Sequence, residues 1–363
     1  MRKSQFNKIL FLVSFWVFAA VFTVSEEGTI LDYYSISLSN YNFLTSLLIA
    51  TSVAFLGAIM IASFEVLFFN KLLRKKPFGV SLLIKTTFYL FSIFLLTSIY
   101  IIIRTSSNIG ESIFHINVIE KYKDYLFSTR FIMVMVYWYL SVIFALFILQ
   151  LSEKLGKGFL INLLLGRYYR PRKEFRIIMF LDLTSATSIA EKLTPNMYSA
   201  FLKDFFFDLD DVISATKGEV FQYVGDEIVI FWNKRNGISN NNCVKFFFLA
   251  EKKFSSLKEN YLKKYGVFPE FKVGLHSGNV VITEVGGRKR EIAYHGDTIN
   301  TTARIRSKCH EVNKRILLSA ELLSLLENVD NEFDVESVGV FNLKGKKNII
   351  GLFNVNEKNI STN

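Results

Sequence analysis

The chain has 363 residues, enough for two or three domains, and 51% of them are hydrophobic. Its mean hydropathy of +0.30 is high for a soluble protein and indicates membrane-spanning segments. The net charge of +11 does not point to a nucleic-acid partner, because many Lys and Arg residues stand beside apolar runs and membrane orientation explains them better. The two cysteines and four histidines show no metal-type spacing, so a zinc site is excluded, and Cys243 and Cys309 are expected to be free thiols in a reducing compartment.

Four apolar runs in the first half of the chain are interpreted as membrane spans. A helix crosses a hydrocarbon core of about 30 Å with roughly 20 apolar residues. The first run is short and could be a signal peptide, but Ser25-Glu26-Glu27 behind it is no small-residue cleavage site. We expect Glu65 to lie at the membrane interface and not in a proton relay, and Lys85 to extend toward the headgroups. The four runs are Ile9–Val24, Phe43–Phe69, Leu82–Ile103 and Phe131–Leu151.

Charges in the connecting segments predict the orientation of these spans. Positive charge collects at the N-terminus, in Asn70–Ser81 and after the fourth span, whereas Ser25–Tyr41 is acidic. Because cytoplasmic loops carry the excess of Lys and Arg, both termini are expected in the cytoplasm and the Arg104–Arg130 loop outside. The sequence therefore predicts a multi-pass protein of the cell (inner) membrane, with a membrane domain over residues 1–151 and lipid as a partner.

Residues 152–174 form a basic linker between the membrane domain and the rest of the chain. Ser152–Leu165 can continue the last span as a helix, and Arg170-Pro171-Arg172 ends it, because proline cannot join the helical ladder. Two interpretations stay open. The linker could be a basic collar on anionic lipid, or a lever that carries changes from the membrane domain to the soluble domain.

Residues 175–356 alternate between strand and helix patterns and predict a cytoplasmic α+β domain, followed by a tail over 357–363. The order of elements, with helices packed on one sheet, is typical of a ferredoxin-like arrangement. The strands are expected at Phe175–Leu183, Glu219–Val224, Glu227–Trp232, Phe271–Val285, Arg290–Gly296, Arg315–Ala320, Phe333–Leu343 and Ile349–Asn356. The helices are expected at Thr184–Leu193, Asn196–Thr216, Asn240–Tyr265 and Asp297–Asn313, with a further one ending at Val329.

Two aspartates of this domain stand where strands end. Asp182 closes a buried strand, and Asp226 follows Gly225 in the turn of a hairpin, GEVFQYVGDEIVIFW (218–232). A lone Gly-Asp is usually an ordinary Asx turn, but two carboxylates at strand ends can clamp two Mg²⁺ ions, as in two-metal phosphoryl enzymes. The hydroxyl-rich run Thr184-Ser185-Ala186-Thr187 then opens a helix, whose free N–H groups and dipole attract phosphate.

A second polar pair lies further along the chain. Asn300 and Arg304 are four residues apart in HGDTINTTARI (295–305), so a helix would present both on one side. An arginine aimed at a transferring phosphoryl group stabilises the charge that develops there.

Together, FLDLTSAT (180–187), the 218–232 hairpin, VGLHSGNV (273–280) and HGDTINTTARI resemble the class III nucleotidyl cyclase family. The resemblance covers about Phe175 to Val355. It implies conversion of a nucleoside triphosphate to its 3′,5′-cyclic monophosphate and pyrophosphate, with two Mg²⁺ (or Mn²⁺) per site. It also implies a homodimer, because metal aspartates and the Asn/Arg pair come from different domains in this family and this chain carries only one.

The resemblance carries roles over to individual positions. Asp182, Leu183 and Asp226 match metal-binding positions, Asn300 matches the ribose-orienting asparagine, and Arg304 matches the arginine that stabilises the transition state. Lys344 matches a lysine that contacts the terminal phosphates, with Lys346 as the nearby competitor.

The positions that read the purine base depart from the family pattern. Adenylate cyclases commonly have Lys and Asp where this chain has Gln222 and Ala293. Gln222 could hydrogen-bond either purine, whereas Ala293 reads nothing through its side chain, and Tyr294 or Thr298 could substitute. We favour ATP. The alternatives are a guanylate cyclase acting on GTP and a non-catalytic receptor that binds a nucleotide.

Overall fold

The structure, a computed structural model, describes residues 3–33, 42–69, 72–73, 76–155, 162, 165–288, 290–342 and 349–358. Lys344 and Lys346 lie outside the described residues, as do 156–161 of the predicted linker helix. The chain separates into two compact units, residues 1–151 and residues 152–363.

The first unit is helical. Among the described residues, four helices contain segments long and apolar enough to cross a membrane, namely Ile9–Tyr33, Phe43–Phe69, Phe78–Ile109 and Thr129–Ser152. The helices are α1 (Lys3–Tyr33), α2 (Phe43–Phe64, continued by a π-helical turn over Glu65–Phe69), α3 (Phe78–Ile109), α4 (Ile116–Leu126) and α5 (Thr129–Leu155). Trp16, Tyr89 and Leu146 lie in a common apolar core contributed by α1, α2, α3 and α5.

Helix α1 is longer than the sequence predicts. It continues through Glu26 and Glu27 to Tyr33, where an acidic loop was expected, so that prediction was wrong. Arg104 and Arg130 both form ion pairs with Glu27. Because these two guanidinium groups pair with the Glu27 carboxylate, this acidic residue does not end the helix. Glutamate is also a good helix former in general.

Glu65 and Lys85 form an ion pair inside the first unit. Both side chains are buried, and the Tyr89 hydroxyl also donates to Glu65 Oε2 at 3.3 Å. The expectation that Lys85 extends toward the headgroups was therefore wrong, because a carboxylate within the helix bundle provides its partner. A buried charge is tolerated when it is paired and hydrogen-bonded in this way.

The second unit is built on one mixed sheet. Its strands are β1 (Arg172–Leu183), β2 (Glu219–Val224), β3 (Glu227–Asn233), β4 (Phe271–Val285), β5 (Glu291–His295), β6 (Ile316–Ser319), β7 (Phe333–Phe341) and β8 (Ile350–Glu357). Its α-helices are α6 (Ala186–Lys192), α7 (Pro195–Ala215), α8 (Lys234–Ile238), α9 (Asn242–Ser256), α10 (Lys258–Tyr265), α11 (Asp297–Glu311), α12 (Ala320–Leu323) and α13 (Val329–Glu332).

The strands pair in the order β2-β3-β1-β4-β6-β8-β7, and β5 pairs with the second half of β4. All pairs are antiparallel except β4 with β6. Helices α7, α9 and α10 cover one face of the sheet with aromatic side chains such as Phe205, Phe254 and Tyr261. This is the α+β arrangement expected from the order of elements.

The helix predicted at Asn240–Tyr265 is divided. Asn240 and Asn241 adopt left-handed φ angles of 58° and 50°, so α9 begins only at Asn242. At Leu257 the backbone N–H bonds to the carbonyl of Phe254, three residues back, which tightens the turn and separates α9 from α10.

Both cysteines are free and buried, and burial raises the pKa of the Cys243 and Cys309 thiols to about 12. Because the thiolate is the reactive form, we expect neither cysteine to be alkylated by iodoacetamide at pH 8 in the folded protein. Mass spectrometry after labelling with and without denaturant measures this. Full labelling of both residues in denaturant is the control, and native-state labelling at the rate of a free thiol would contradict the prediction.

Candidate active site

The side chains of β1 alternate between the two faces of the sheet, and this alternation determines which way Asp182 points. Ile177, Met179 and Leu181 enter the core beneath the helices, whereas Ile178 and Phe180 lie in a smaller cluster on the other face of the sheet. Successive strand residues face opposite sides, so Asp182 follows Phe180 onto that second face. A carboxylate at the end of this buried central strand thus lies outside the main core.

Two more acidic residues lie beside Asp182 at this end of β1. Glu227, the first residue of β3, is its direct partner in the antiparallel register. Asp226 precedes it in the β2–β3 turn, where Gly225 has a φ of +60°, a conformation that glycine adopts without strain. The hairpin therefore delivers two adjacent carboxylates to the end of β1.

Helix α11 lies directly against β4 at two glycines. A methyl group added at Gly274 would lie 2.6 Å from the Arg306 Cα, and one at Gly278 would lie 2.6 Å from the Thr298 hydroxyl. Four strand residues span about 13 Å and eight helical residues span about 12 Å, so the two contacts keep α11 antiparallel to the strand between Thr298 and Arg306. These glycines set the height of α11 above the sheet.

Arg306, held in this way, reaches the acidic residues at the end of β1. Its Nη1 donates to Asp182 Oδ2 at 3.2 Å, and its Nη2 lies 2.7 Å from Glu227 Oε2. Its Nε has no hydrogen-bond partner among the described residues. One guanidinium therefore compensates part of the charge of three neighbouring carboxylates.

The pKa values of the groups around Asp182 are shifted as expected for carboxyls that lie close together. Burial raises the pKa of Asp182, and the neighbouring Asp226 carboxyl raises it further, while Arg306 opposes the rise. Burial also raises the pKa of Glu227, again against Arg306. The pKa of the Tyr198 phenol, on the first turn of α7, is raised by burial and then by Asp226 and Asp182. The negative charge at the end of β1 is thus only partly neutralised by the chain itself.

These residues fit a hard divalent cation. Carboxylate and carbonyl oxygens are the ligands that Mg²⁺ and Mn²⁺ prefer, and Mg²⁺ typically takes one or two carboxylates and completes its shell with water and phosphate. The Leu183 side chain lies in the core, so only its backbone carbonyl could be a ligand. Among the described residues, no group of three or more His, Cys, Asp or Glu is arranged as a metal site, so the acidic residues at the end of β1 do not form a complete metal site by themselves.

The predicted phosphate-binding run lies immediately beside the carboxylates. The Thr184 N–H is already bonded to the Glu270 carbonyl at 2.7 Å, and Ser185 takes a left-handed φ of 58° before α6 begins at Ala186. No side chain caps this helix, and Ser185 and Thr187 are exposed. Backbone N–H groups at the start of α6 are therefore available to an anion.

Asn300 and Arg304 do not join this cluster. Both lie on α11 as predicted, with Asn300 exposed and Arg304 half-buried. Two residues along a helix correspond to a rotation of about 200°, so when Arg306 reaches Asp182, Arg304 points away from it. In a single chain, the predicted metal residues and the predicted Asn/Arg pair therefore belong to two different surfaces.

The predicted base-reading positions lie on β2 and β5. Gln222 is exposed next to a bulge at Phe221, and Ala293 is half-buried opposite Thr283. Thr298, a possible substitute, is buried and donates its hydroxyl to the Asn279 carbonyl at 2.8 Å, so it cannot read a base in this conformation. Tyr294 instead packs its ring against Phe221 and Phe231, and burial raises its pKa to about 12.

Sequence reasoning missed Arg306, Glu227 and Tyr198. A signal for Glu227 was present, because a strand that starts directly after Asp226 in an antiparallel hairpin must place it near the end of β1. Nothing local marked Arg306, because its role depends on the contact between α11 and Gly274.

Comparison with known proteins agrees with these observations. Residues 169–355 match the model of the adenylate and guanylate cyclase catalytic domain. Adenylate cyclase 2 of Rhizobium meliloti (strain 1021) is 34% identical over 181 residues, which are 50% of this chain and 50% of that protein. A receptor-type guanylate cyclase of Caenorhabditis elegans is 28% identical over 189 residues, 51% of this chain and 18% of that protein. The chain thus spans half or less of these relatives.

A solved structure of a bacterial light-regulated adenylyl cyclase superimposes with a TM-score of 0.52 at 19% identity, covering 64% of this chain and 68% of that one. This likeness concerns the fold. The predicted fold class, four apolar N-terminal helices followed by an α+β catalytic domain of this type, is confirmed.

Proposed function

The chain belongs to the adenylate and guanylate cyclase catalytic domain family, and from this premise we propose that it is a membrane-anchored adenylate cyclase. It would convert ATP to 3′,5′-cyclic AMP and pyrophosphate. The observation that carries the proposal is the pair of carboxyls, Asp182 and Asp226, brought together at a strand end beside the uncapped start of α6. The similarity to adenylate cyclase 2 supports ATP as the substrate.

In the proposed reaction the ribose 3′-oxygen attacks the α-phosphorus. The O3′–P bond forms as the bond to the β-phosphate oxygen breaks, pyrophosphate leaves, and the hydroxyl proton passes to water. Asp182, Asp226 and the Leu183 carbonyl would hold two Mg²⁺ or Mn²⁺ ions, which supply charge neutralisation for the triphosphate and the attacking oxygen. The 184–187 segment would bind phosphate through backbone N–H groups, and Lys344 would contact the terminal phosphates.

Asn300 would orient the ribose, and Arg304 would stabilise negative charge in the transition state. Because Arg304 points away from Asp182 of its own chain, we propose that it acts on the site of a second copy. A two-fold symmetric homodimer then contains two equivalent sites, each with metal ligands from one chain and the Asn/Arg pair from the other. This arrangement uses both surfaces that a single chain keeps apart.

A guanylate cyclase is the second candidate. Gln222 is exposed and its amide both donates and accepts hydrogen bonds, so it suits either purine, and Ala293 contributes no polar group. A receptor that only binds nucleotide is less well supported, because such a module needs neither the metal pair nor Arg304.

For the membrane unit we propose four spans with both termini and the catalytic domain in the cytoplasm. The basic segments at the N-terminus, after α2 and after α5 support this orientation. The stretch containing α4 would then face the other side.

The deciding experiment is turnover of ATP and of GTP, side by side, by the purified full-length chain in lipid nanodiscs with Mg²⁺ or Mn²⁺. Chromatographic separation of the cyclic nucleotide from pyrophosphate measures it. Cyclic AMP as the main product supports the proposal, cyclic GMP supports the second candidate, and binding of nucleotide without either product supports the receptor.

Replacing Arg306 with Ala tests the carboxylate cluster separately from turnover. Without metal we expect the free energy of unfolding of the variant to fall by about 1.5–3 kcal/mol, the typical contribution of a hydrogen bond to a charged group. Mn²⁺ should then raise its thermal midpoint more than that of the unmodified protein, because the ion no longer competes with a guanidinium. Arg290→Ala, whose side chain pairs with Glu284 and is 64% exposed, is the matched control. An equal or smaller Mn²⁺ effect in Arg306→Ala would contradict the assignment of the metal ligands.

A further inference from the structure

A tyrosine of the basic linker is buried in the second unit. Tyr168 is 7% exposed and belongs to the apolar cluster on the face of the sheet that α11 covers. The fully buried members of this cluster besides Tyr168 are Ile178 and Phe180 of β1, Val229 and Phe231 of β3, and Val280 and Ile282 of β4. The match to the cyclase domain begins at residue 169. A side chain from just outside the matched domain therefore completes part of its core.

The main chain and the side chain of Tyr168 are both held by neighbours. The Glu284 N–H donates to the Tyr168 carbonyl at 2.9 Å, which ties this residue to the end of β4. The Tyr168 hydroxyl donates to Glu174 Oε1 at 3.4 Å, and Arg167 and Arg176 form ion pairs with the same carboxylate. The Arg167 guanidinium also lies 5.6 Å from the centre of the Tyr168 ring, within the range of a cation–π contact. The ring therefore has one defined place in the cluster.

The same cluster supports the backbone at four proposed site residues. Its half-buried members include Phe221, Tyr294, Ile299 and Ala303. Each of these four is adjacent in sequence to one site residue, in the order Gln222, Ala293, Asn300 and Arg304. The pKa of the Tyr294 phenol is raised by burial and then by the Tyr168 phenol, so these two side chains lie close together. Packing in one cluster thus fixes the strands and the helix that carry both the base-reading positions and the Asn/Arg pair.

We propose that Tyr168 is a positioning residue for the surface formed by Gln222, Ala293, Asn300 and Arg304. Its ring fills the cluster and so sets the height of Ile299 and Ala303, and with them the placement of the Asn/Arg pair that acts on the second copy. The inference rests on the proposed cyclase function. Because Tyr168 belongs to the linker that follows α5, it also gives the lever interpretation of the linker a specific contact.

Mixed dimers of full-length chains test this role, because only one of their two sites can be complete. An Asp226→Asn chain supplies Asn300 and Arg304 to that site, whereas an Arg304→Ala chain supplies its metal ligands. Adding Tyr168→Ala to the Asp226→Asn chain should lower turnover of the mixture about 10- to 100-fold, since a displacement of about 1 Å in catalytic groups can cost about 10² in rate. Adding Tyr168→Ala to the Arg304→Ala chain should leave turnover unchanged. A general loss of folded protein would instead lower turnover equally in the two mixtures.

Two further variants separate the ring from its hydroxyl and from its position in the chain. Tyr168→Phe keeps the ring and should behave like the unmodified residue in both mixtures. Tyr169→Ala is the matched control, because this adjacent tyrosine is 73% exposed, and it should have no effect in either chain. Tyr168→Leu, which removes the ring but keeps an apolar side chain, replaces the alanine variant if the latter does not fold.

Hydrogen exchange measured by mass spectrometry tests the same placement without turnover. In the full-length Tyr168→Ala protein in nanodiscs, amides of β2, β5 and the first half of α11 should exchange faster than in the unmodified protein. Amides of α7 and α9, which pack on the other face of the sheet, should keep their rates. Equal acceleration throughout the unit, no acceleration, or equal effects of Tyr168→Ala in the two mixtures would overturn the proposal. A reference mixture that forms no cyclic nucleotide would count against the proposed cyclase dimer, and the exchange pattern would then decide the role of Tyr168 by itself.

Discussion

Replacing Asp226 with Asn should reduce cyclic nucleotide formation by the full-length chain to background. The variant keeps the turn at Gly225 and nearly the same side-chain volume, but it removes one of the two carboxylates proposed to hold the metal ions. Because Asp226 contributes to the raised pKa of Asp182, its neutralisation should also relieve repulsion at the strand end, so the folded protein should not lose stability. Turnover with Mg²⁺ or Mn²⁺, together with the thermal midpoint of unfolding, measures both effects. Asp334→Asn is the matched control, because that side chain is 67% exposed on β7, at the opposite edge of the sheet.

The same variant tests the shared site. Arg304→Ala should lower the rate about 10²–10³-fold, the usual cost of losing one donor to developing charge. Mixing equal amounts of Asp226→Asn and Arg304→Ala chains under conditions that allow exchange should restore about one quarter of normal turnover per chain, because half of randomly assorted dimers are mixed and each has one complete site. Two inactive chains that stay inactive after verified exchange would contradict a site built from two copies.

Much of this architecture was predictable because it depends on local patterns. The β2–β3 hairpin follows from a glycine turn between two strand patterns, and the structure has β2 at its predicted residues and extends β3 by one. The end of β1 and the position of Asp182 follow from an apolar run that stops at a carboxylate. The same reasoning failed at α1, where the acidic residues after Val24 suggested a loop. Two arginines more than 70 positions further along the chain pair with Glu27 and hold it in the helix. They lie outside any stretch of sequence that would be used to predict α1.

The environment of the site was less predictable for the same reason. Asp182 and Asp226 could be paired from strand order, but their guanidinium partner comes from Arg306, 124 positions after Asp182. Arg304 belongs to the recognisable motif, and only the packing of α11 shows that Arg306, two positions further on, faces the proposed metal ligands. How closely Arg306 approaches Asp182 depends on the distance between α11 and β4, and therefore on Gly274.

Gly274→Val should therefore impair the site without touching any proposed catalytic group. The Cβ would collide with the backbone of Arg306, which cannot move aside as a flexible side chain could. Overpacking of this kind typically costs about 1–3 kcal/mol, and a displacement of about 1 Å in catalytic groups can cost about 10²-fold in rate. We expect a lower thermal midpoint and a larger proportional loss of turnover than of nucleotide binding, since α11 carries Asn300 and Arg304 out of position together.

Gly287→Val is the matched control, because the same side chain there meets open space in the β4–β5 turn. It should leave both the thermal midpoint and turnover close to those of the unmodified protein. If Gly274→Val instead retained full turnover at a temperature where it remains folded, α11 would tolerate displacement from the sheet. The close contact at Gly274 would then serve packing alone, and the placement of Arg304 would have to be set by the second chain of the proposed dimer.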